Sequence, residues 1–366
     1  MTFSPREQVP LAPWTTLQVG GPARFFAEIE DEDTLVDALA WARERSLRTV
    51  ILGGGSNLLV ADRGLDALVI RLRLLGMRWT ADHHRVYVTA SAGEPWDEVV
   101  AYAVGRDLAG IECLSGIPGD TGATPIQNVG AYGQEVGDTL VSVRAVERAT
   151  GQVVELDRAA CELGYRDSIF KHRARDAYVI TAVRFALIQR GAPALRYAEL
   201  AQRFAGAAEP PSLDDVRDAV IALRRSKSMV LDAADENGKS AGSFFTNPTL
   251  DSAAVPAVIA RVEAAGALRP GEKMPSYPAG EGKTKLSAAW LIERAGFSRG
   301  FGEGRAGLST KHTLSIVNRD GASAADILAL AKQIRDGVAE RFGVWLHPEP
   351  VMEGFTDEEL RAVGAR

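Results

Sequence analysis

Thr49-Val50-Ile51-Leu52-Gly53-Gly54-Gly55-Ser56-Asn57 sets a short apolar run directly before three glycines and two small polar residues. The run is rich in β-branched side chains and reads as a buried strand that the glycines end abruptly. A strand opening into a glycine loop is the order in which α/β folds build nucleotide sites. Glycines let main-chain N–H groups approach an anion with no Cβ in the way, and Ser56 and Asn57 add side-chain hydrogen bonds. The loop is not a Rossmann fingerprint. The sixth position from Gly53 is Leu58, where G-x-G-x-x-G requires glycine, and no acid follows at the usual distance.

Upstream of this strand, Asp33 to Arg45 reads as a helix with Asp31 or Asp33 as its cap and Leu35, Val36 and Leu39 on one face. Downstream, Val86 to Ala90 predicts a strand, and Pro95 opens a helix carrying Val99, Val100 and Ala103. From Leu140 to Leu187 the pattern turns to strands: Val141 to Val146, Val153 to Leu156 and Tyr178 to Leu187. Ala192 to Ser212, rich in Ala, Pro and Gly, reads as a loop excursion, and Asp232 to Ser240 as a hinge into a C-terminal unit. That unit carries a periodic helix through Ile327, Leu330, Ile334, Val338 and Phe342, capped by Ser323 and stopped by Gly343. A strand at Val344 to Leu346 is expected to follow, delivering Glu349 between two prolines.

The chain has 366 residues, 46% of them apolar, enough to bury a large core divided among two or three packed units. Net charge is −6 with the basic residues dispersed, which argues against nucleic-acid binding. Arg224, Arg225 and Lys227 form the tightest basic cluster, equally compatible with a small anion and with a solvated helix end. Met1 to Pro13 lacks the pattern of a secretory signal and no apolar run is long enough to span a bilayer, so a cytoplasmic location without membrane attachment is expected. Cys113 and Cys161 form neither a CxxC pair nor a zinc cluster and read as structural thiols. Gly282-Lys283-Thr284 and Gly238-Lys239-Ser240 mimic the end of a P-loop, but Tyr277 and Ala233 stand where its first glycine belongs. No histidines make H-E-x-x-H, His83-His84 falls in a polar turn, and no metal is expected.

A second segment, Ile117-Pro118-Gly119-Asp120-Thr121-Gly122-Ala123-Thr124-Pro125-Ile126-Gln127-Asn128-Val129-Gly130-Ala131-Tyr132-Gly133, has four glycines, two prolines and almost no charge. Such a stiff, small-residue surface suits a diphosphate and a flat ring. Either loop alone is also what a tight connection looks like; the two together favour a dinucleotide cofactor.

Five ordered stretches resemble the UDP-N-acetylenolpyruvoylglucosamine reductase family. They are Ile51 to Asn57, Ile117 to Gly133, Gly164-Tyr165-Arg166-Asp167-Ser168-Ile169-Phe170-Lys171, Ala241-Gly242-Ser243-Phe244-Phe245-Thr246-Asn247-Pro248, and Leu346-His347-Pro348-Glu349. The likeness spans nearly the whole chain. Gly164 to Lys171 and Leu195-Arg196-Tyr197 further resemble the long subclass, in which a tyrosine-bearing loop closes over the nucleotide substrate.

The resemblance implies an α/β (α+β) fold: a two-lobed FAD-binding domain of the vanillyl-alcohol-oxidase or PCMH type and a C-terminal α/β substrate-binding domain. The expected boundaries are 1–78, 79–232 and 233–366. It implies noncovalent FAD, NADPH as electron donor and a monomer that reduces UDP-N-acetylglucosamine enolpyruvate to UDP-N-acetylmuramate in peptidoglycan precursor synthesis. By the same resemblance Arg166 and Glu349 polarise the substrate carboxylate and Ser243 donates the proton. Gly53, Gly54, Gly55, Ser56, Asn57, Ile117, Pro118, Gly119, Gly122, Thr124, Gln127, Asn128, Gly130, Ala131 and Arg224 would hold the cofactor. Tyr132, Tyr197, Lys227, Asn247, Arg299 and His312 would hold the substrate. An arginine fork matches a carboxylate. Glu349 beside that carboxylate requires a proton or a bridging cation.

Two departures stand out: His347 occupies a position where the family often has glutamate, and Asp120 to Ala123 varies from the common wording. Two other functions fit the same loops, an FAD-dependent sugar or alcohol oxidase and a catalytically idle nucleotide-binding regulator. Neither loop contains a histidine and Cys113 is the only nearby thiol, which argues against a covalent flavin.

Overall fold

The computed structural model describes residues 3–83 and 85–365; His84 lies outside them. The chain divides into two units, one made of Met1–Val9, Ala23–Gly54 and Asp66–Leu231, the other of Pro10–Pro22, Gly55–Leu65 and Asp232–Arg366.

The first unit holds two sheets. One has four strands in the order Arg6–Pro10, Pro22–Ile29, Leu65–Leu72, Arg48–Leu52. Its last pair runs parallel with Val50 opposite Val69, as expected of a strand that leads into a nucleotide loop. Helix Glu32–Glu44 buries Leu35, Ala38, Leu39 and Ala42 in one core with Ile29, Leu68 and Ile70. Asp31 is its cap, accepting the N–H of Thr34 at 2.7 Å.

The other sheet is antiparallel, in the order Val153–Asp157, Leu140–Glu147, Tyr178–Gln189, Arg85–Ser91, Met77–Asp82. Helix Trp96–Val104 buries Trp96, Val99, Val100 and Ala103 in the core that holds Val88, Val183 and Phe185. Pro95 stands at its N-cap, one place earlier than a first-turn proline.

Two more helices complete the unit. Ala198–Arg203 interrupts the stretch 192–212, so that excursion is not all loop. Leu213–Ser226 carries a capping box of Ser212 and Asp215, and its Val216, Ala219 and Val220 cluster with Cys113 and Leu200.

The second unit is built around helix Ala324–Phe342, whose Ile327, Ile334, Val338 and Phe342 share a core with Phe244, Phe245, Leu308 and Leu346. Ser323 caps its start and Gly343, at φ 71°, ends it in the left-handed conformation. A three-stranded antiparallel sheet has Lys283–Leu286 between Thr249–Asp251 and Ser276–Pro278. Leu58–Val60 pairs in parallel with Val351–Glu353.

That pairing ties residues 55–65, expected with the first lobe, to the C-terminal region, and residues 10–22 join them through Gly21 N–H on Ala61 O and Asn318 Nδ2 on Leu17 O, both at 3.0 Å. The main chain of Asn57 accepts the N–H of Val351 at 2.9 Å, and Leu58 stands opposite Val351. The strand expected at Val344 to Leu346 is absent. Val344 and Leu346 are buried and Trp345 exposed, the alternation of a strand, but the segment has no ladder partner. Among the described residues no helix is long and apolar enough to cross a membrane.

Candidate cofactor and substrate site

In the first unit the two glycine-rich segments meet backbone to backbone. A Cβ on Gly54 would stand 2.8 Å from the Cα of Gly119, a distance side chains do not tolerate, so only glycine permits this approach. The second segment is laced to the start of the Trp96 helix: Trp96 N–H donates to Gly119 O at 2.9 Å, and Thr121 N–H to Glu94 O at 2.8 Å. Ile117 packs on the antiparallel core, and Thr124 is buried with its hydroxyl on Thr121 O at 2.8 Å.

Gly116, just before this segment, is held at both its polar groups. Its N–H donates to Asp97 Oδ1 at 2.6 Å, and its carbonyl accepts from Arg224 Nε at 3.1 Å. Asp97 is in turn gripped by both terminal nitrogens of Arg217 at 2.6 and 2.9 Å. Burial pushes the Arg224 guanidinium down to about 10, and a further N–H reaches Met229 O at 2.6 Å. Arg224, expected as a flavin contact, therefore also works as a brace for the loop, and the bland alternative of a solvated helix end fails for it.

Asn128 is the hub of the next turn. Its Nδ2 donates to Glu135 Oε2 at 2.8 Å and Gly164 O at 2.9 Å, and its Oδ1 accepts from Gly137 N–H at 2.8 Å. Arg166 Nη2 donates to Gly130 O at 2.5 Å, which brings Asn128, Gly130 and Arg166 together. Asn128, Tyr132 and Arg166 all have left-handed backbones, with φ of 43°, 48° and 54°. Strain of about 1 kcal/mol or more per residue persists where surroundings enforce it, and such residues concentrate at functional sites.

Tyr132 and Tyr197 meet edge to face, with centroids 5.3 Å apart and an 89° interplanar angle, and Lys227 Nζ lies 5.8 Å from the Tyr132 ring centre. Lys227 pairs with Glu199 at 3.1 Å. Burial pushes the Tyr132 phenol up to about 12, so it remains a hydrogen-bond donor at neutral pH.

One residue that the sequence did not single out holds this cluster. Glu112 is 1% exposed, and its Oε1 accepts from Gln134 Nε2 and from Ala194 N–H, both at 2.8 Å. Its Oε2 accepts Gly110 N–H at 2.7 Å. One carboxylate thus ties together three stretches of chain, including the one that leads to Tyr197. No local pattern announces such a role, because Gln134 and Ala194 are far from it in sequence.

In the second unit, Gly55 belongs with Ser56 and Asn57. A Cβ on Gly55 would fall 2.0 Å from the carbonyl oxygen of Trp14, and its φ is 63°. Asn57 Nδ2 donates to Glu349 O at 3.3 Å. Glu349 N–H donates to Phe244 O at 2.9 Å, Thr246 N–H to His347 O at 3.0 Å, and Phe245 bridges Pro348. The Ser243 and Glu349 stretches are therefore adjacent, and both side chains are half-buried. His347 is exposed with Nδ1 3.2 Å from Gly364 O, so the departure from glutamate puts an imidazole against the glycine that caps helix Asp357–Val363.

Asn247 Oδ1 accepts the N–H of Ala288, the first residue of helix Ala288–Arg294, at 2.9 Å. His312 Nδ1 accepts Leu314 N–H at 3.1 Å, and Arg299 is exposed. Both distances show local structural work at two of the expected substrate residues. Among the described residues no three His, Cys, Asp or Glu side chains gather as a metal site.

Residues 23–157 match the FAD binding domain model, and residues 233–353 match the model for UDP-N-acetylenolpyruvoylglucosamine reductase, C-terminal domain. The chain is 52% identical to UDP-N-acetylenolpyruvoylglucosamine reductase of Saccharopolyspora erythraea, over 95% of this chain and 96% of that protein. It is 48% identical to the enzyme of that name from Thermobifida fusca, over 97% of this chain and 100% of that protein. Among solved structures, UDP-N-acetylenolpyruvylglucosamine reductase from Thermus caldophilus is similar at 26% identity and a TM-score of 0.64, covering 96% of this chain and 100% of that one. An FAD-binding domain joined to this C-terminal domain, at such identity across nearly the full length, makes the chain a member of the UDP-N-acetylenolpyruvoylglucosamine reductase family.

Proposed function

We propose that this chain reduces UDP-N-acetylglucosamine enolpyruvate to UDP-N-acetylmuramate at the expense of NADPH, with noncovalent FAD, in the synthesis of peptidoglycan precursors. The observation that carries this is the family membership, with about half the residues identical across nearly the whole length of its relatives.

The residues fit the cofactor. Gly54 and Gly119 approach too closely for any Cβ, which leaves a bare main-chain surface of the kind a diphosphate uses. We assign FAD to this surface, with the four-stranded and antiparallel sheets of the first unit as its two lobes. Held there, FAD would supply hydride transfer from NADPH to the substrate alkene.

Hydride on one alkene carbon leaves carbanion character on the other, so the protein must stabilise an enolate and deliver one proton. Arg166 is suited to the first task, because its guanidinium is steered by Gly130 O and a fork of N–H donors matches a carboxylate. Glu349 shares that task in the proposal, as a protonated acid or through a cation. Ser243 supplies the proton from Oγ; the carbanion is basic enough to take it from an alcohol. Tyr132, Tyr197, Asn247, Arg299 and His312 are assigned to the uridine diphosphate portion, and Lys227 to the part of the substrate near the nicotinamide.

The proposal takes small molecules as the only partners of a cytoplasmic monomer. A net charge of −6 with dispersed basic residues supports the exclusion of nucleic acid. The test is absorbance: purified protein should be yellow, and NADPH should bleach it without air. Colourless protein that takes up no FAD would overturn the assignment.

A further inference from the structure

Asp120 is the only acid between Ile117 and Gly133. Its carboxylate lies against the first glycine loop: a Cβ on Gly53 would stand 3.4 Å from Oδ2, and one on Gly54 3.2 Å from Oδ1. Asp120 precedes the short turn Thr121–Ala123, but its side chain does not cap it. Among the described residues the carboxylate has no hydrogen bond and no ion pair. A half-buried acid without donors, laid on the main chain of two glycines, is a poor way to brace a loop.

Its charged surroundings are few. Arg71 and Arg73 lie near enough to favour the ionised form, but burial outweighs them and holds the acid up at about 6. Glu94, on the chain that bridges to Asp120 through Pro95, has its carboxylate on the Gly76 N–H at 2.5 Å. Nothing here compensates an added negative charge beyond the two arginines.

We propose that Asp120 couples cofactor binding to proton uptake: FAD binds with Asp120 protonated, its O–H donated to a diphosphate oxygen, and binding weakens as the carboxylate ionises. This rests on the assignment of the diphosphate to the Gly53 and Gly119 loops. An anion at that place repels the ionised carboxylate and welcomes the neutral acid, so the acid titrates higher in the holoenzyme than in the free protein.

The sign follows from linkage. Affinity is greatest below the free-state value of about 6 and falls as pH rises through it, levelling off above the bound-state value. Each unit by which the bound diphosphate raises the acid is about a tenfold change in Kd.

The experiment dilutes holoenzyme at a series of values between about pH 5 and pH 8 and reads released FAD by fluorescence. Wild-type Kd is expected to rise at least about tenfold across this range. Asp120→Asn and Asp120→Ser are both expected to give a Kd that hardly changes, and one below the wild-type value at the alkaline end. Calorimetry near pH 7 in two buffers of different ionisation enthalpy should find proton uptake with FAD in the wild type and close to none in Asp120→Asn. A pH-independent wild-type Kd, or variants that track the wild type, would overturn the proposal. Protein that retains no FAD at any pH would overturn the cofactor assignment and this proposal together.

Discussion

The main-chain N–H of Glu349 donates to the carbonyl oxygen of Phe244 at 2.9 Å, so the residue directly after Ser243 is tied to the acid between Pro348 and Pro350. The bond fixes two chain segments that lie about a hundred residues apart, and it does so through backbone atoms that side-chain substitutions leave in place. Ser243→Ala should therefore keep the fold and the cofactor. It is expected to leave flavin reduction by NADPH nearly intact and to slow reoxidation by the enolpyruvate substrate at least about a hundredfold. Stopped-flow absorbance separates the two half-reactions; equal losses in both would make Ser243 a structural residue.

Glu112 supports the tyrosine pair from behind, through Gln134 and Ala194. An amide in its place must turn an N–H toward at least one existing donor, at a cost of about 1–3 kcal/mol for the buried group left unpaired. Glu112→Gln is expected to raise KM for the UDP-sugar about tenfold while kcat changes by less than about threefold. An unchanged KM would show that the tie to Ala194 does not govern substrate affinity.

The two thiols should be inert in the folded protein. Both are buried, and burial, aided by Glu112 for Cys113 and by Asp157 for Cys161, pushes them up to about 12 and about 11. Thiol titration near neutral pH should find no reactive group until denaturant is added, and then two. A cysteine that reacts without unfolding would contradict this burial.

Stability in the second unit leans on the helix Ala324–Phe342. Its Ser323 Oγ accepts the N–H of Asp326 at 3.0 Å, and Asp326 Oδ2 accepts Ser323 N–H at 2.9 Å. Ser323→Ala should cost about 1 kcal/mol, read as a lower denaturant midpoint, with turnover of the surviving enzyme unchanged. A midpoint identical to wild type would mean the helix start is held by other contacts, such as Asp62, which accepts the N–H groups of Ala324 and Ala325 at 2.8 and 3.0 Å.

The capped helices show how much structure the sequence carried. Ala324–Phe342 was legible because its apolar spacing, serine cap and glycine stop all agree, and Glu32–Glu44 because its cap and apolar face do. Leu213–Ser226 had a comparable signal in Ser212, Asp215 and the apolar spacing of Val216, Ala219 and Val220, hidden beside a stretch rich in Ala, Pro and Gly. Val344 to Leu346 was misread because alternation predicts burial of one face, not the presence of a partner strand. The glycine loops were legible as close-approach surfaces, but that Gly54 meets Gly119 depends on tertiary contact. Glu112 and Asp120 were illegible as working residues for the same reason, since what distinguishes them is who surrounds them.

The central claim is the fate of the electrons. The decisive measurement adds UDP-N-acetylglucosamine enolpyruvate to NADPH-bleached enzyme under argon and follows flavin absorbance and product. The account predicts full recovery of the yellow colour, one UDP-N-acetylmuramate formed per flavin and no hydrogen peroxide. Flavin that stays bleached with that substrate and recolours only on admitting oxygen, with peroxide formed, would contradict it.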